Sequence, residues 1–106
     1  SKCKIVTEGY GTIESAATLV LACGDERRIS RFCTFMWHEM GLTASGRLSS
    51  LEAELRQARK EEKLWAQWMS QFSNKPIKFF LDNGKFIDVW WTPDQLLEMA
   101  LVDKII

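Results

Sequence analysis

A long stretch without proline or glycine, Ser49 to Phe72, constrains the fold of this chain more than any other feature. Ser49 and Glu52 have the spacing of a capping box, in which two side chains satisfy backbone N–H groups at the start of a helix. The stretch therefore predicts one helix of about six turns. Its predicted inward face consists of apolar residues at helical spacing: Leu51, Leu55, Ala58, Trp65, Met69 and Phe72.

Glu62 falls in the middle of that apolar face. A carboxylate is costly to bury unless it is paired, so its position needs a structural reason. Three alternatives remain open. The helix bends away from the core near Glu62, the carboxylate meets a cation, or a second copy of the chain covers this region.

The segment after Pro76 changes from helical to extended spacing. Residues 77–81 and 86–91 are rich in β-formers and flank Asn83-Gly84, a pair typical of the type I′ turn of a hairpin. The sequence therefore predicts a β-hairpin over about 77–91.

The following residues carry several signals for the start of a helix. Thr92 suits an N-cap, Pro93 the first helical position and Gln95 the third residue of a capping box. A short C-terminal helix through Leu101 is expected.

The first third of the chain is less regular. Residues 2–7 alternate like a short strand, and Thr12 is a possible N-cap for a helix from Ile13 to Cys23. Residues 16–23 leave helix and strand open as alternatives, because 18–21 are β-prone. Gly24 would end the helix.

The next predicted helix begins at Asp25 and ends at Gly41. It is favoured by apolar residues at helical spacing: Ile29, Phe32, Cys33, Met36, Trp37 and Met40. A loop over 42–48 is expected after it. The expected fold class is thus α+β, with three or four helices, one of them long (about 49–72), packed against the hairpin and a short final helix. One domain over 1–106 suits a chain of this length.

The composition limits the partners of the chain. Fourteen Lys and Arg balance fourteen Asp and Glu, which removes a global attraction to nucleic acid or anionic membrane. The three cysteines form no CxxC pair, the N-terminal residues lack the features of a signal peptide, and the longest apolar stretch, 16–23, is too short to cross a bilayer. We expect a cytoplasmic protein without a membrane span.

The candidates for catalysis are few. Helical geometry places the one histidine, His38, opposite the apolar face and therefore in solvent. His38-Glu39 begins like the HExxH zinc motif, but Leu42 stands where the second histidine is needed. Cys33 lacks a neighbouring base, and the cysteines are interpreted as buried apolar fillers. No catalytic residue, metal or cofactor is therefore expected.

Two sets of surface residues are candidates for contact with a partner. The first is a basic ridge that would suit an acidic partner: Arg27, Arg31, Arg56, Arg59, Lys60 and Lys63. The second consists of aromatic residues, a type enriched at interfaces: Phe35, Trp68, Trp90 and Trp91. Trp90 and Trp91 must face opposite sides of a strand, so one of them is expected to be exposed.

The function expected from these features is non-catalytic. We expect a small protein-binding regulator or inhibitor, of bacterial or phage accessory type, that acts by occupying a surface. Homo-oligomers and nucleic acid bound through the ridge remain open. The alternative is a DNA-binding domain with the element order of a winged helix. An enzymatic function remains open only for a hydrolase that uses two carboxylates or for an active site that a partner completes.

Overall fold

The computed structural model describes residues 3–106 and contains six strands and four helices within them. The strands are β1 Val6–Gly9, β2 Thr12–Ile13, β3 Glu26–Ile29, β4 Thr34–Trp37, β5 Val89–Trp91 and β6 Lys104–Ile105. The helices are α1 Ala16–Ala22, α2 Leu48–Gln71, α3 Ile77–Asp82 and α4 Pro93–Glu98. The strand predicted over 2–7 begins later, at Val6, and Lys2 lies outside the described residues.

The strands form two three-stranded sheets. The first has the order β1-β3-β6 and is parallel throughout, with Ile29 of β3 opposite both Gly9 and Ile105. The second has the order β2-β4-β5, in which β2 runs parallel and β5 antiparallel to β4. Helix α1 connects β2 to β3, and so the chain passes from one sheet to the other through α1.

An aromatic cluster joins the second sheet to α3. The rings of Phe35 and Trp91 stack with centroids 6.0 Å apart, and the ring of Trp37 meets Phe80 edge-on at 5.5 Å. The indole N–H of Trp37 donates to the carbonyl of Phe80 over 2.9 Å, which satisfies a buried polar group. This cluster fixes the end of β4, the strand that precedes the candidate site.

Several sequence predictions are confirmed. The α+β class, the long helix and the short final helix are all present. At the start of α4, Thr92 Oγ1 accepts from Gln95 N–H at 3.2 Å and Gln95 Oε1 accepts from Thr92 N–H at 2.9 Å, which is the predicted capping box. Residues 16–22 are helix, which resolves that alternative, but the N-cap is Ser15 and not Thr12. The start of α2 is also corrected, because its N-cap is Arg47 and not Ser49.

The helix predicted from Asp25 to Gly41 is wrong. The segment forms β3 and β4, joined by a turn. Phe35 and Trp37 are buried while Thr34 is exposed, so the period along β4 is that of a strand. Ile29 is fully buried where β3 lies between two other strands. The pairing of β3 and β4 with other strands therefore decides the structure of this segment, and the helical spacing of its apolar residues is coincidental.

The hairpin predicted over 77–91 is also wrong. Residues 77–82 form α3, and β5 pairs with β4 instead of with its neighbour in sequence. Asn83 has a φ of −80° and Gly84 a φ of +80°, whereas a type I′ turn needs positive φ at both positions. Phe80 and Trp91 both pack against the ring of Trp37, with centroids 5.5 Å and 6.4 Å from it, and they meet each other edge-on at 6.3 Å.

Most of α2 projects from the rest of the molecule. Its fully buried residues are Ala66 and Met69, both in its C-terminal third. Leu55, predicted to face inward, is exposed. None of the helices formed by residues 3–106 combines the length and apolar character needed to cross a membrane.

Candidate active site

Ser15 occupies a strained turn between a strand and a helix. It follows β2 by two residues, serves as the N-cap of α1 and has a φ of +53°, a backbone conformation that non-glycine residues seldom adopt. Its carbonyl accepts from the Thr18 N–H at 3.1 Å and from the Thr18 hydroxyl at 2.7 Å. Thr18 is fully buried, so the turn is held in place by the core. A strand–turn–helix corner of this kind presents a nucleophilic serine in hydrolases.

His38 directly follows β4 and reaches this turn. Because β2 and β4 are parallel, with Ile13 opposite Phe35, the residues that follow both strands emerge at the same edge of the sheet. His38 Nε2 lies 3.5 Å from Ser15 Oγ. The topology therefore brings a serine and the one histidine of the chain together across 23 residues of sequence.

The second ring nitrogen of His38 sets the tautomer. Nδ1 lies 2.6 Å from the main-chain carbonyl oxygen of Glu39. A carbonyl oxygen only accepts, so Nδ1 carries the proton and donates it. In the neutral ring, Nε2 then presents its lone pair to the Ser15 hydroxyl. This is the arrangement that a general base needs in order to activate a serine.

The prediction that His38 lies in solvent is wrong. It is half-buried and lines a cavity beside Ser15. That prediction depended on a helix over 25–40, whereas in the observed extended chain successive side chains alternate between the faces. Ser15 was missed as well. The signal that could have found it is Ser15-Ala16-Ala17, a serine after a short β-prone run with two small helix formers behind it.

The cavity beside Ser15 and His38 measures about 230 Å³. Besides these two residues, its walls are mostly apolar and include Met36, Met40, Trp65 and Leu81. Glu62 of α2 lies in the same wall and contributes a carboxylate. A cavity of this size next to a nucleophile can take one apolar side chain of a bound chain.

The segment after His38 is tied to the turn that follows α3. Glu39 N–H donates to the carbonyl of Gly84 at 3.0 Å, and Glu39 Oε1 accepts from Phe86 N–H at 3.2 Å. Gly84 itself has a φ of +80° and approaches the backbone of His38 closely. These contacts fix the backbone of the segment that carries the imidazole of His38.

Asp88 is a further acidic group near this edge. Asp88 directly precedes Val89, the residue of β5 that lies opposite Trp37 at the end of β4. Because His38 directly follows Trp37, this position makes Asp88 a second candidate, beside the Glu39 carbonyl, for orienting the imidazole.

Arg27, predicted to lie on the basic ridge, is part of the interior. Its guanidinium donates to the carbonyls of Phe72 and Ala100 and forms an ion pair with Asp103 at 2.9 Å. It therefore connects the end of α2 to the segment between α4 and β6. The hydrogen bond from Arg27 holds the pKa of Asp103 below its usual value.

The other predicted contact residues are divided between surface and core. Phe35 is buried, Trp91 is 8% exposed and Trp90 is 54% exposed, so the expected opposition of the two tryptophans is confirmed. Trp68 is half-buried on α2. The remaining basic residues are exposed: Arg31, Arg56, Arg59, Lys60 and Lys63. Arg59 also pairs with Glu62 at 3.0 Å, so the carboxylate on the apolar face does meet a cation.

The described cysteines differ in burial. Cys33 is buried, and burial raises the pKa of its thiol, which disfavours the reactive thiolate. Cys3 and Cys23 are exposed, which corrects their interpretation as buried fillers. Among residues 3–106, groups of three or more His, Cys, Asp or Glu arranged to hold a metal ion are absent.

The chain matches a known protein family. The family model described as Clp protease matches residues 1–106. Among curated proteins nothing matches. The Clp protease family is a family of serine peptidases whose members assemble into oligomeric rings. The match overturns the expectations of a non-catalytic regulator or inhibitor, of a DNA-binding domain and of a chain without enzymatic activity. They rested on the lack of a recognisable catalytic motif in the sequence.

Proposed function

The chain belongs to the Clp protease family, and from this premise we propose that it hydrolyses peptide bonds with Ser15 as nucleophile and His38 as general base. The observation that carries the proposal is the approach of Ser15 Oγ to His38 Nε2 at 3.5 Å, with Nδ1 bonded on its other side. Neither contact is needed to bury an apolar residue. Both are needed to activate a hydroxyl at neutral pH.

The proposed reaction has two stages. Ser15 Oγ attacks the scissile carbonyl carbon while His38 Nε2 takes the hydroxyl proton, and a tetrahedral oxyanion forms. His38 then gives that proton to the departing amine, and the acyl group remains on Ser15. In the second stage water attacks the acyl group by the same route and restores the serine. The N–H of Ala16, next to the nucleophile in a strand–turn–helix corner, is the natural donor to the oxyanion.

Ser15 Oγ and His38 Nε2 must move slightly closer to form a short hydrogen bond. A formed hydrogen bond from a hydroxyl would shorten the 3.5 Å separation by about 0.7 Å. Catalytic hydrogen bonds are often long before substrate binds and tighten in the substrate complex. We propose that an apolar side chain of the substrate, on the acyl side of the scissile bond, enters the cavity and closes this gap.

The first test is covalent labelling of Ser15. A fluorophosphonate probe, which reacts with activated serines, should label the purified protein at Ser15, as located by peptide mass spectrometry. Ser15→Ala should abolish labelling, and His38→Ala should slow it by about 100-fold or more. Ser49→Ala, an exposed serine at the start of α2, is the matched control and should label like the parent. Absence of labelling at Ser15 in the parent would refute the proposal.

We further propose that the protein forms homo-oligomers. Membership of a ring-forming family supports this, as does the apolar surface beside β5, an edge strand of its sheet, where Phe86, Ile87 and Trp90 are exposed. The molar mass from light scattering should exceed that of one chain, and Trp90→Lys should lower it. Val20→Lys, an equally exposed apolar position on α1, should not. A single-chain mass at all concentrations would refute self-association.

Two finer predictions stay within this proposal. The exposed members of the basic ridge on α2, including Arg56, Lys60 and Lys63, are proposed to contact an acidic surface of a neighbouring copy. A cytoplasmic location is supported by three cysteines without CxxC spacing. Charge reversal of the ridge, followed by measurement of the molar mass, tests the first prediction. Cell fractionation tests the second.

A further inference from the structure

Glu62 is the one charged residue on the inward face of α2 that the proposed reaction leaves without a role. Its side chain is 20% exposed and lines the cavity beside Ser15 and His38. One carboxylate oxygen accepts from the N–H of Met40 at 3.2 Å, and the other accepts from Arg59 at 3.0 Å. The carboxylate therefore spans from the long helix to the segment that carries the catalytic histidine.

The Met40 N–H belongs to the same peptide unit as the Glu39 carbonyl. That unit is planar, so a group that holds its N–H also holds its carbonyl oxygen. The carbonyl oxygen is the atom that lies 2.6 Å from His38 Nδ1. Glu62 thus acts on the imidazole through one rigid peptide, although it does not touch the ring.

The charge of Glu62 adds an electronic effect to this geometry. A carboxylate bonded to a peptide N–H polarises the peptide and makes its carbonyl oxygen a stronger acceptor. A stronger acceptor at Nδ1–H stabilises the tautomer in which Nε2 faces Ser15, and it favours the positive ring that forms when Nε2 takes the proton.

We propose that Glu62 is a positioning residue for His38, acting through the Glu39–Met40 peptide. The inference rests on the proposed function, because it gives His38 the part of the general base. It assigns to α2, a helix that is otherwise mostly exposed, control over the geometry of the catalytic edge. Arg59 holds Glu62 on the outer side and lies 4.0 Å from the Glu39 carboxylate, which braces the same segment.

The test uses three variants of α2 and two measurements. Glu62→Ala removes the acceptor for Met40 N–H, Glu62→Gln retains a neutral acceptor, and Glu61→Ala is the matched control one residue away on the exposed side. Glu62→Ala should slow fluorophosphonate labelling of Ser15 by about tenfold. Glu62→Gln should recover most of the rate, and Glu61→Ala should equal the parent.

The second measurement does not depend on reactivity. Because the chain has one histidine, 15N labelling of histidine gives a single imidazole whose two shifts report which nitrogen carries the proton. In the parent and in Glu62→Gln, the neutral ring should be protonated at Nδ1. In Glu62→Ala it should become a mixture of tautomers. A purely structural role for Glu62 would lower stability without changing this ratio.

Each outcome decides between the claims. A parent-like tautomer and labelling rate in Glu62→Ala would overturn the inference, as would a tautomer change caused by Asp88→Asn and not by Glu62→Ala. Failure of the parent to label Ser15 would refute the proposed function, while the tautomer ratio would still test the role of Glu62. If Glu62→Ala does not fold, Glu62→Met keeps the side-chain length without the acceptor and takes its place.

Discussion

Gly84 lies so close to His38 that the space between them excludes a side chain. A Cβ built on Gly84 would stand 2.7 Å from His38 Cα and 2.9 Å from the carbonyl oxygen of Trp37, and both distances are shorter than the contacts a Cβ makes in folded proteins. The backbone of Gly84 also has a φ of +80°, which favours glycine. The turn after α3 therefore fixes the backbone position of His38, the proposed general base.

Gly84→Ala should displace His38 and slow the labelling of Ser15 by about tenfold or more, because the new methyl group must push the β4 end aside. It should also lower the free energy of unfolding by about 1–3 kcal/mol. Gly46→Ala is the matched control, since Gly46 has a φ of +136° with open space around it. Gly46→Ala should lose some stability and keep the labelling rate. Equal labelling rates in Gly84→Ala and Gly46→Ala would contradict the role of Gly84 in fixing the position of His38.

Thr18→Val should loosen the turn of Ser15. The two side chains have nearly the same shape, but valine cannot donate to the Ser15 carbonyl, a bond of 2.7 Å from a buried hydroxyl. We expect a loss of about 1 kcal/mol in the free energy of unfolding, measured by urea titration, and slower labelling of Ser15. Thr34→Val, which removes an exposed hydroxyl contact with Thr12, should leave the labelling rate unchanged. A normal rate in Thr18→Val would show that the turn is held by packing alone.

The pair of Arg27 and Asp103 predicts an acid-sensitive stability. Because hydrogen bonding to Arg27 lowers the pKa of Asp103, the pair stabilises the fold above the ordinary aspartate pKa, and this stability is lost as pH falls through the lowered value. Asp103→Asn should flatten the decline of stability below about pH 4. As Asp103 is 43% exposed, the difference should be about 1 kcal/mol or less. Urea midpoints measured between pH 2 and pH 7 give the dependence of stability on pH. An unchanged decline at low pH in Asp103→Asn would contradict the prediction.

Arg27→Ala should be more damaging than loss of its acidic partner. The guanidinium also bonds the carbonyls of Phe72 and Ala100, and these acceptors would be left without it in a partly buried site. A cost of about 3 kcal/mol is expected in the free energy of unfolding. Arg31→Ala, an exposed arginine on the following turn, should cost less than about 0.5 kcal/mol. Similar costs for both would contradict an interior role for Arg27.

The two neighbouring tryptophans of β5 should behave oppositely. Trp91→Ala removes a ring that stacks on Phe35 and Phe79, and a core truncation of this size costs about 3–5 kcal/mol. Trp90→Ala should leave thermal stability nearly unchanged, because more than half of its surface, 54%, is exposed. Melting curves of the two variants check this, and a destabilised Trp90→Ala would place that ring in the core as well.

The sequence determined the features that depend on neighbouring residues. The Thr92–Gln95 capping box is present as predicted, and the long helix predicted over 49–72 is observed over 48–71, because both features depend on contacts between residues a few positions apart. Local signals alone did not locate the N-caps of α1 and α2, which are Ser15 and Arg47 instead of Thr12 and Ser49. The opposition of Trp90 and Trp91 was likewise predicted from strand geometry alone.

Tertiary structure decided the positions of the strands and of the candidate site. The segments over 26–37 and 77–91 carry patterns compatible with more than one local structure, and their partners lie far away in sequence. Ser15 and His38 were not paired from the sequence because 23 residues separate them and neither stands in a recognised motif. The parallel pairing of β2 with β4 places Ser15 and His38 at the same edge of the sheet. Strand pairing depends on long-range contacts, which the local pattern of residues does not encode, so the sequence alone did not predict it.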